Sequence, residues 1–459
     1  MAEREPTRRA WWRERAVLAT ALVVIATAGL LIHPLGAQSA SRYALTAAIW
    51  EDHTVVIDGY PLGADRAVRE GHNYSDKALG QPLLAVPAYA AYRALGGEPA
   101  RQLRTDGNLG LWAVTMWSSV IPAALLVVLM IRVTGTVSPT RSTAASLVTW
   151  GGTVLAPLSA LLFGHVLAAT LLFSSFYLLW RGSTWRGHVA AGVLSGLAAA
   201  TEYTAVLGVA VLGVWILIQK RNAVPGFLLG GLGPAAMLVI YNTIAFGSPL
   251  TLSYQFNAFH DVVDSARPLL HMFAGVDFDN TVALLISGRG ILVATPIVAV
   301  AVVGLVAMVR SRQYRRLGTI CLSMFVVFVS IPLLWENPWG GDSPGPRYLA
   351  SALPFLAPGV AYAWDRRRLI TAVAAGWSCI AMAMATITNP TGIPADSVAG
   401  FNVWIGWVVS GQWAPTIPGL VFGEPWGRAV YLTASIASLL ALRLAVRRRQ
   451  SVNLVTTRS

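Results

Sequence analysis

Apolar segments of about twenty residues recur along the chain from residue 16 to residue 446, with short polar turns between many of them. A helix rises about 1.5 Å per residue, so about twenty apolar residues cross the ~30 Å hydrocarbon core of a bilayer. Only Glu202 and Tyr203 divide one long apolar stretch into two spans. The pattern predicts about twelve membrane-spanning helices, at 16–36, 108–131, 142–162, 164–180, 187–204, 205–219, 225–246, 291–309, 317–335, 349–364, 369–388 and 428–446.

The composition agrees with a chain whose main solvent is lipid. Of 459 residues, 55% are hydrophobic and 12% are charged, whereas a soluble domain has about 25% charged residues. We therefore predict an all-α polytopic membrane bundle that forms one transmembrane domain over residues 1–459. The run at 16–35 exceeds the roughly 7–15 residues of a signal-peptide core, so we interpret it as an uncleaved first span. Cys321 and Cys379 both lie in apolar runs, which excludes a disulfide framework and a cysteine-ligated zinc site.

The net charge of +13 is mainly a topology signal. With the N-terminus inside, every short inside turn is basic, as at 310–316, 366–368 and 447–449, and few acidic residues fall on that side. Cytoplasmic loops of membrane proteins carry such an excess of Lys and Arg. We therefore expect a multi-pass cell-membrane protein with both termini in the cytoplasm, and we do not expect nucleic acid as a partner.

The long polar segments all fall on the predicted external side. They lie at 37–107, 247–290 and 389–427, and a shorter one lies at 336–348. Helix-compatible stretches at 41–50 and 83–95 predict interfacial helices within the first loop. Because long loops tend to carry function while rigid spans hold them, we expect the working surface on the external face.

The first external loop concentrates acidic residues around a polar, glycine-bounded stretch at 71–80. Its six acids are Glu51, Asp52, Asp58, Asp65, Glu70 and Asp76. From charge alone, a solvated surface loop is the alternative interpretation.

Two further external clusters hold candidate side chains. The stretch at 335–348 contains Asp342, Arg347 and Tyr348 among glycines and prolines. It is either a rigid turn with interfacial aromatic residues or a phosphate-binding turn, since a guanidinium is a ready phosphate ligand. The segment at 246–254 leads to His260, and Glu202 lies near an external span end, where it requires a partner or a water-filled cavity. The histidines lack metal-ligand spacing.

Several of these motifs carry a resemblance to a known family. They are Arg42-Tyr43 with a following acidic turn, Asp65, Tyr74-Ser75-Asp76-Lys77-Ala78-x-Gly80, Phe246-Gly-Ser-Pro-Leu-Thr251, Gly345-Pro-Arg-Tyr-Leu349 and Leu353-Pro-Phe355. In this order and on this membrane side, they resemble the GT-C superfamily of membrane glycosyltransferases, specifically the bacterial branch similar to dolichyl-phosphate-mannose–protein mannosyltransferases. The resemblance implies transfer of a hexosyl or pentosyl group from a polyprenyl-phosphate sugar to a glycan, lipid or protein acceptor at the external face.

The resemblance also implies roles for individual residues. Asp65 and Asp76 would be catalytic. Lys77, Arg347 and Arg42 would bind the donor phosphate, and Tyr74, His72, Tyr348, Asp342, Glu202 and His260 would bind substrate. Many members have an Asp soon after the first span, where this chain has Gln38-Ser39-Ala40-Ser41. Either a base comes from later in the loop, or the chain has lost activity. Among the later acids Asp65 is preferred, because it lies in the matched pattern and has no evident structural duty there.

Two other functions stay open on the sequence. A secondary transporter shares the outline of twelve spans with both termini inside, but it needs ionisable residues near the midplane, which most spans lack. A non-catalytic GT-C-like assembly protein is the other. Hard oxygen ligands in the loops leave an assisting divalent cation open. The sequence does not specify the sugar, the acceptor or the length of the carrier lipid.

Overall fold

The computed structural model describes residues 5–63, 65–102, 108–258, 275–335, 337–394 and 396–456, with side chains described from residue 15 to residue 446 within these ranges. Helices dominate the described residues. They are α1 Glu5–Ala28, α2 Ala37–Glu51, α3 Gly80–Ala94, α4 Leu109–Thr115, α5 Ile121–Thr134, α6 Ser142–Gly151, α7 Leu155–Ser159, α8 Gly164–Arg181, α9 Trp185–Thr201, α10 Ala205–Gln219, α11 Val224–Phe246, α12 Phe278–Ile286, α13 Ile291–Ala294, α14 Ile297–Arg310, α15 Arg315–Leu334, α16 Ala357–Arg366, α17 Arg368–Ile387, α18 Phe401–Val409, α19 Ile417–Phe422 and α20 Glu424–Thr456.

Each predicted span contains helix. The π-helical turn Met116–Val120 joins α4 to α5, so that Leu109–Thr134 is one continuous span. The predicted span at 142–162 is instead broken into α6 and α7, and the span at 349–364 begins with 3₁₀ turns before α16. As predicted, α9 ends just before Glu202 and α10 begins at Ala205.

The all-helical membrane class is confirmed. Among the described residues, five helices are long and apolar enough to cross a bilayer: Leu109–Thr134, Arg221–Phe246, Arg315–Leu334, Arg368–Ile387 and Glu424–Val446. A sixth candidate is the pair Phe278–Ala294 and Ile297–Arg310, which is bent by 84°. The remaining helices are shorter or less apolar, so the number of twelve crossings stays a prediction.

The first loop is a packed substructure. Both of its predicted helices exist, as α2 and α3, but α2 is buried at every residue from Gln38 to Ala48. It therefore packs inside the protein and does not turn a polar face to solvent. An antiparallel hairpin that the sequence did not predict pairs β1 Arg66–Arg69 with β2 His72–Ser75.

Two apolar clusters hold these parts together. The larger lies among the helices and includes Phe173, Phe176 and Phe355, whose rings meet at centroid distances of 5.0–5.6 Å. The smaller cluster packs the first loop against the end of α11 through residues such as Tyr43 and Phe246. Burial of aromatic surface stabilises both clusters. The loop is thereby held in a fixed position over the bundle.

Candidate active site

A cavity of about 450 Å³ lies where the first loop meets the ends of several helices. Side chains from α2, the segment before α3, the start of α8, the end of α9 and the turn before α16 line it. Its charged lining residues are Arg42, Asp65, Lys77, Glu202, Asp342 and Arg347. A concave pocket in which a few polar and charged groups converge is the usual form of a small-molecule site.

Arg42 and Glu202 form a buried ion pair on one wall. Nη2 of Arg42 lies 2.5 Å from Oε1 of Glu202, and the two side chains are only 1% and 3% exposed. Nη1 of Arg42 also donates to Oε1 of Gln38, one helical turn earlier on α2. Because Glu202 neutralises Arg42, this guanidinium is committed to a partner inside the protein.

Lys77 lies between two carboxylates. Its Nζ atom is 2.6 Å from Oδ2 of Asp76 and 3.3 Å from Oδ2 of Asp65. Asp76 is fully buried and also accepts hydrogen bonds from Ser41 and from the Asn257 amide. Burial raises the pKa of the Asp76 carboxyl, an effect that the positive charge of Lys77 opposes. Asp65, by contrast, faces the cavity with its side chain 12% exposed.

Gly80 explains how the first-loop motif reaches α9. A Cβ atom at this position would lie 2.5 Å from Oγ1 of Thr201 and 2.8 Å from the Ala200 carbonyl oxygen. Only glycine permits so close an approach. The start of α3 therefore rests on the last turn of α9, next to Glu202, and the motif that carries Lys77 is placed beside the Arg42–Glu202 pair.

A tight turn presents Arg347 to the same cavity. Oδ1 of Asn337 accepts hydrogen bonds from the backbone N–H groups of Trp339 and Gly340. Gly340 and Gly341 have φ values of +79° and +104°, which side chains rarely adopt. Arg347 is 7% exposed, and its Nη1 donates to the Asp342 carbonyl oxygen at 3.4 Å. Among the described residues, no carboxylate forms an ion pair with it.

Arg289 links its own loop to this turn and to the loop that contains Pro394. It is fully buried, and it donates to the carbonyl oxygens of Ser343 at 3.0 Å and of Pro394 at 3.1 Å. Its guanidinium also lies 4.5 Å from the centre of the Trp339 ring. The three segments that were far apart in sequence are thus joined by one side chain.

The structure brings together most of the predicted site residues. Those that line the cavity are Arg42, Asp65, Lys77, Glu202, Asp342, Arg347 and Tyr348. Asp76 lies behind Lys77 and does not line the cavity. His260 lies outside the described residues. The role of each of these residues stays a prediction.

Two predicted substrate-binding residues do not belong to this cavity. The Tyr74 ring packs on Phe246, with centroids 5.7 Å apart, inside the smaller apolar cluster. His72 is 57% exposed and pairs with Asp58, at 2.7 Å between Nδ1 and Oδ2. Both residues lie on β2, where Tyr74 packs into the apolar cluster while His72, next to the turn at Glu70 and Gly71, is at the surface.

The other first-loop acids have structural partners. Glu51 contacts Arg93 and accepts a hydrogen bond from the Tyr89 hydroxyl, and Asp52 pairs with Arg101. Glu70 is 74% exposed and pairs with its neighbour Arg69. Burial acts to raise the pKa of Asp58, but hydrogen bonds from His72 and Asn73 hold it below its ordinary value. Of the six, Asp65 is the acid that lines the cavity.

Several lining residues were missed by reasoning on the sequence. They are Gln38, Phe163, His165, Tyr254, Asn257, Trp335 and Asn337, together with small residues. His165 could have been found, because a histidine one residue after the start of an apolar span is unusual. Among the described residues, no group of three or more His, Cys, Asp or Glu side chains is placed to hold a metal ion.

Comparisons with known proteins identify the fold. No protein-family model and no curated protein matches the sequence. The apo structure of ArnT from Cupriavidus metallidurans matches with a TM-score of 0.51 and 13% identity, over 97% of this chain and 76% of ArnT. The chain has the GT-C fold.

Two other solved structures are similar over less of their own length. The apo oligosaccharyltransferase of Archaeoglobus fulgidus matches at 12% identity and a TM-score of 0.46, over 93% of this chain and 56% of that one. The arabinosyltransferase EmbB of Mycobacterium smegmatis matches at 13% identity and a TM-score of 0.43, over 99% and 42%. ArnT has also been solved with bound undecaprenyl phosphate, a structure that matches with a TM-score of 0.49 and 13% identity over 96% of this chain and 76% of ArnT.

Proposed function

We propose that this protein is a glycosyltransferase that moves a sugar from a polyprenyl-phosphate donor to an acceptor hydroxyl at the external face of the membrane. The observation that carries the proposal is the shared cavity of Arg347 and Asp65. One is a cation without a carboxylate partner among the described residues, and the other is a carboxylate that reaches the cavity. Glycosyl transfer to a hydroxyl uses a group of each kind.

Arg347 is the preferred ligand for the donor phosphate. A guanidinium can bind two phosphate oxygens at once, and this one is buried, which strengthens its interaction with an anion. Lys77 is a weaker candidate than its sequence motif suggests, because Asp65 and Asp76 already surround its charge. Arg42 is neutralised by Glu202 in the same way. We assign both to supporting the electrostatics of the cavity.

Asp65 is the preferred general base. In the proposed step, its carboxylate takes the proton of the acceptor hydroxyl while the hydroxyl oxygen bonds to the anomeric carbon of the donor. The bond between that carbon and the phosphate oxygen breaks, and its electron pair stays on the phosphate beside Arg347. The Lys77 ammonium lies 3.3 Å from Oδ2 of Asp65 and helps to position this carboxylate. No step in this scheme uses a metal ion.

Both the fold and an apolar cavity support the proposal that the donor carries a polyprenyl chain. ArnT, which shares the fold, has a structure with undecaprenyl phosphate bound. A second cavity of about 830 Å³ lies between α3 and α4 and is lined mostly by apolar and aromatic side chains such as Tyr92, Trp112 and Trp117. Tyr43 lines this cavity while its neighbour Arg42 lines the first. We assign the apolar cavity to the polyprenyl chain.

The rival functions differ in what they predict for these residues. The GT-C fold favours the glycosyltransferase over the transporter outline. A non-catalytic assembly protein with this fold would keep lipid binding but show no transfer, and Gln38 in place of an acid is the feature that supports this alternative.

The test uses purified full-length protein, synthetic polyprenyl phosphate and a panel of synthetic polyprenyl-phosphate monosaccharides. Arg347→Ala should weaken binding of polyprenyl phosphate by about 10–100-fold, the usual value of hydrogen bonds to a charged group. Arg347→Lys should recover little of this loss, because an ammonium does not replace the planar fork. Arg101→Ala is the matched control, since this arginine is 48% exposed and pairs with Asp52 away from the cavity. Unchanged affinity in Arg347→Ala would reject the phosphate assignment.

A further inference from the structure

A buried histidine in the cavity has a ring nitrogen without a hydrogen-bond partner in the described part of the chain. His165 is the second residue of α8, is 4% exposed and lines the cavity. Its Nε2 atom has no hydrogen-bond partner among the described residues. Buried polar atoms are nearly always paired in folded proteins, so an unpaired atom in a cavity wall points to a ligand or a solvent molecule.

The surroundings of His165 determine which nitrogen faces Glu202. Nδ1 lies 3.6 Å from Oε1 of Glu202, the same carboxylate oxygen that binds Arg42. A carboxylate next to Nδ1 favours the tautomer with its proton on Nδ1. Nε2 then carries a lone pair and can accept a hydrogen bond. Because Arg42 already neutralises Glu202, the neutral form of His165 is compatible with this arrangement.

The position of His165 relative to Arg347 limits what it could bind. The His165 ring lies 6.4 Å from the Tyr348 ring and 6.2 Å from the Phe163 ring, between centroids. The Arg347 guanidinium lies 5.6 Å from that same Phe163 ring. His165 and the Arg347 guanidinium therefore lie near the same Phe163 ring and line the same cavity. The aromatic rings of Phe163 and Tyr348 give this part of the cavity the apolar walls that small-molecule sites commonly have.

We propose that His165, held in its Nδ1-protonated form by Glu202, accepts a hydrogen bond from a hydroxyl group of the donor sugar. This inference rests on the proposed function and adds to it a residue that recognises the sugar separately from the phosphate. A hydroxyl is a ligand group that fits, since it donates a hydrogen bond to a neutral acceptor. A site built to bind a hydroxyl disfavours an analogue that lacks it.

The experiment separates sugar recognition from phosphate binding. The affinity of purified full-length protein is measured for synthetic polyprenyl phosphate and for polyprenyl-phosphate mannose, glucose, galactose and arabinose. His165→Phe should leave the affinity for bare polyprenyl phosphate unchanged. It should weaken the best sugar-bearing ligand by about 3–10-fold, the usual value of one neutral hydrogen bond. His165→Gln, whose amide oxygen can take the place of Nε2, should recover most of the loss.

Each result decides between the two proposals. Equal loss for the bare and the sugar-bearing lipid in His165→Phe would overturn the inference, because the residue would then act on the phosphate site or on the fold. Unchanged affinity for both lipids would also overturn it, since Nε2 would then accept no hydrogen bond from the sugar. If His165→Phe does not fold, His165→Asn and His165→Gln are compared in its place, and Asn should show the greater sugar-specific loss because its amide cannot reach the Nε2 position. Failure of the wild-type protein to bind any of these lipids would overturn the proposed function and this inference together.

Discussion

The ammonium group of Lys77 lies 3.3 Å from a carboxylate oxygen of Asp65. This contact joins Lys77, which belongs to the first-loop motif, to Asp65, the first-loop acid that lines the cavity. It also places an ammonium group directly beside the proposed base.

Replacement of Asp65 by Asn should reduce transfer by about 10²–10⁴-fold, the typical contribution of a general base. The size of the side chain is kept and Lys77 retains Asp76 as a partner, so binding of polyprenyl phosphate should survive. Turnover is measured with a synthetic polyprenyl-phosphate sugar, and lipid binding is measured separately. Glu70→Gln, on the same loop but 74% exposed, is the control. Near-normal turnover in Asp65→Asn would exclude this residue as the base.

Replacement of Glu202 by Gln should destabilise the protein strongly. It leaves Arg42 buried without its counter-charge, and removal of one partner of a buried ion pair costs about 3–5 kcal/mol. Thermal unfolding in detergent is the measurement. The double variant Arg42→Met with Glu202→Leu should recover part of the loss, because it removes both buried charges. A melting temperature equal to that of wild type in Glu202→Gln would show that the pair does not stabilise the fold.

Replacement of Gly80 by Ala should lower the melting temperature. The added Cβ would lie within 3 Å of the Ala200 backbone, which cannot move aside as a flexible side chain could. Overpacking of this kind costs about 1–3 kcal/mol. Gly213→Ala on α10 is the matched control, because its added Cβ meets no atom within 4 Å among the described residues beyond its own turns of the helix. We expect the control to match wild type or exceed it, and equal behaviour of the two variants would contradict the close contact between α3 and α9.

The pairing of Asp58 with His72 and Asn73 should make a small, pH-dependent contribution to stability. Since the pKa of Asp58 in the folded protein is below its ordinary value of 3.8, the contribution is present above that value and is lost as the pH falls through the folded pKa. For an exposed pair we expect about 0.2–1 kcal/mol. The melting temperatures of wild type and Asp58→Asn should differ at pH 6 and converge progressively as the pH falls below 3.8, by the same linkage. A difference that grows on acidification would contradict the assignment.

The orientation of the chain can be tested independently of chemistry. Reporter fusions after Arg221, Arg316 and Arg449 should report the cytoplasm, because basic turns stay inside. Fusions after Gly71 and Ser343 should report the outside. A cytoplasmic signal at Gly71 would place the cavity on the inner face and would contradict the proposed reaction at the external surface.

The sequence by itself determined the class of the protein and placed a helix within each predicted span, whereas α12, α18 and α19 lie in segments that it predicted only as external loops. Apolar runs long enough to cross a bilayer are a local property, so even the division at Glu202 was visible without coordinates. Motif order also indicated the GT-C fold. In a membrane protein the lipid imposes regular helices, since each span must satisfy its own backbone hydrogen bonds.

Tertiary structure decided which polar residues meet. The first-loop acids look alike along the chain, yet Glu51 and Asp52 pair with arginines, Asp76 is buried behind Lys77, and Asp65 reaches the cavity. Reasoning on the sequence did not place His165 in the site. It lies beside Glu202 only because α8 packs against α9. Burial, charge pairing and the direction of a side chain depend on contacts between segments far apart in the chain. No local pattern of hydrophobic and polar residues contains that information.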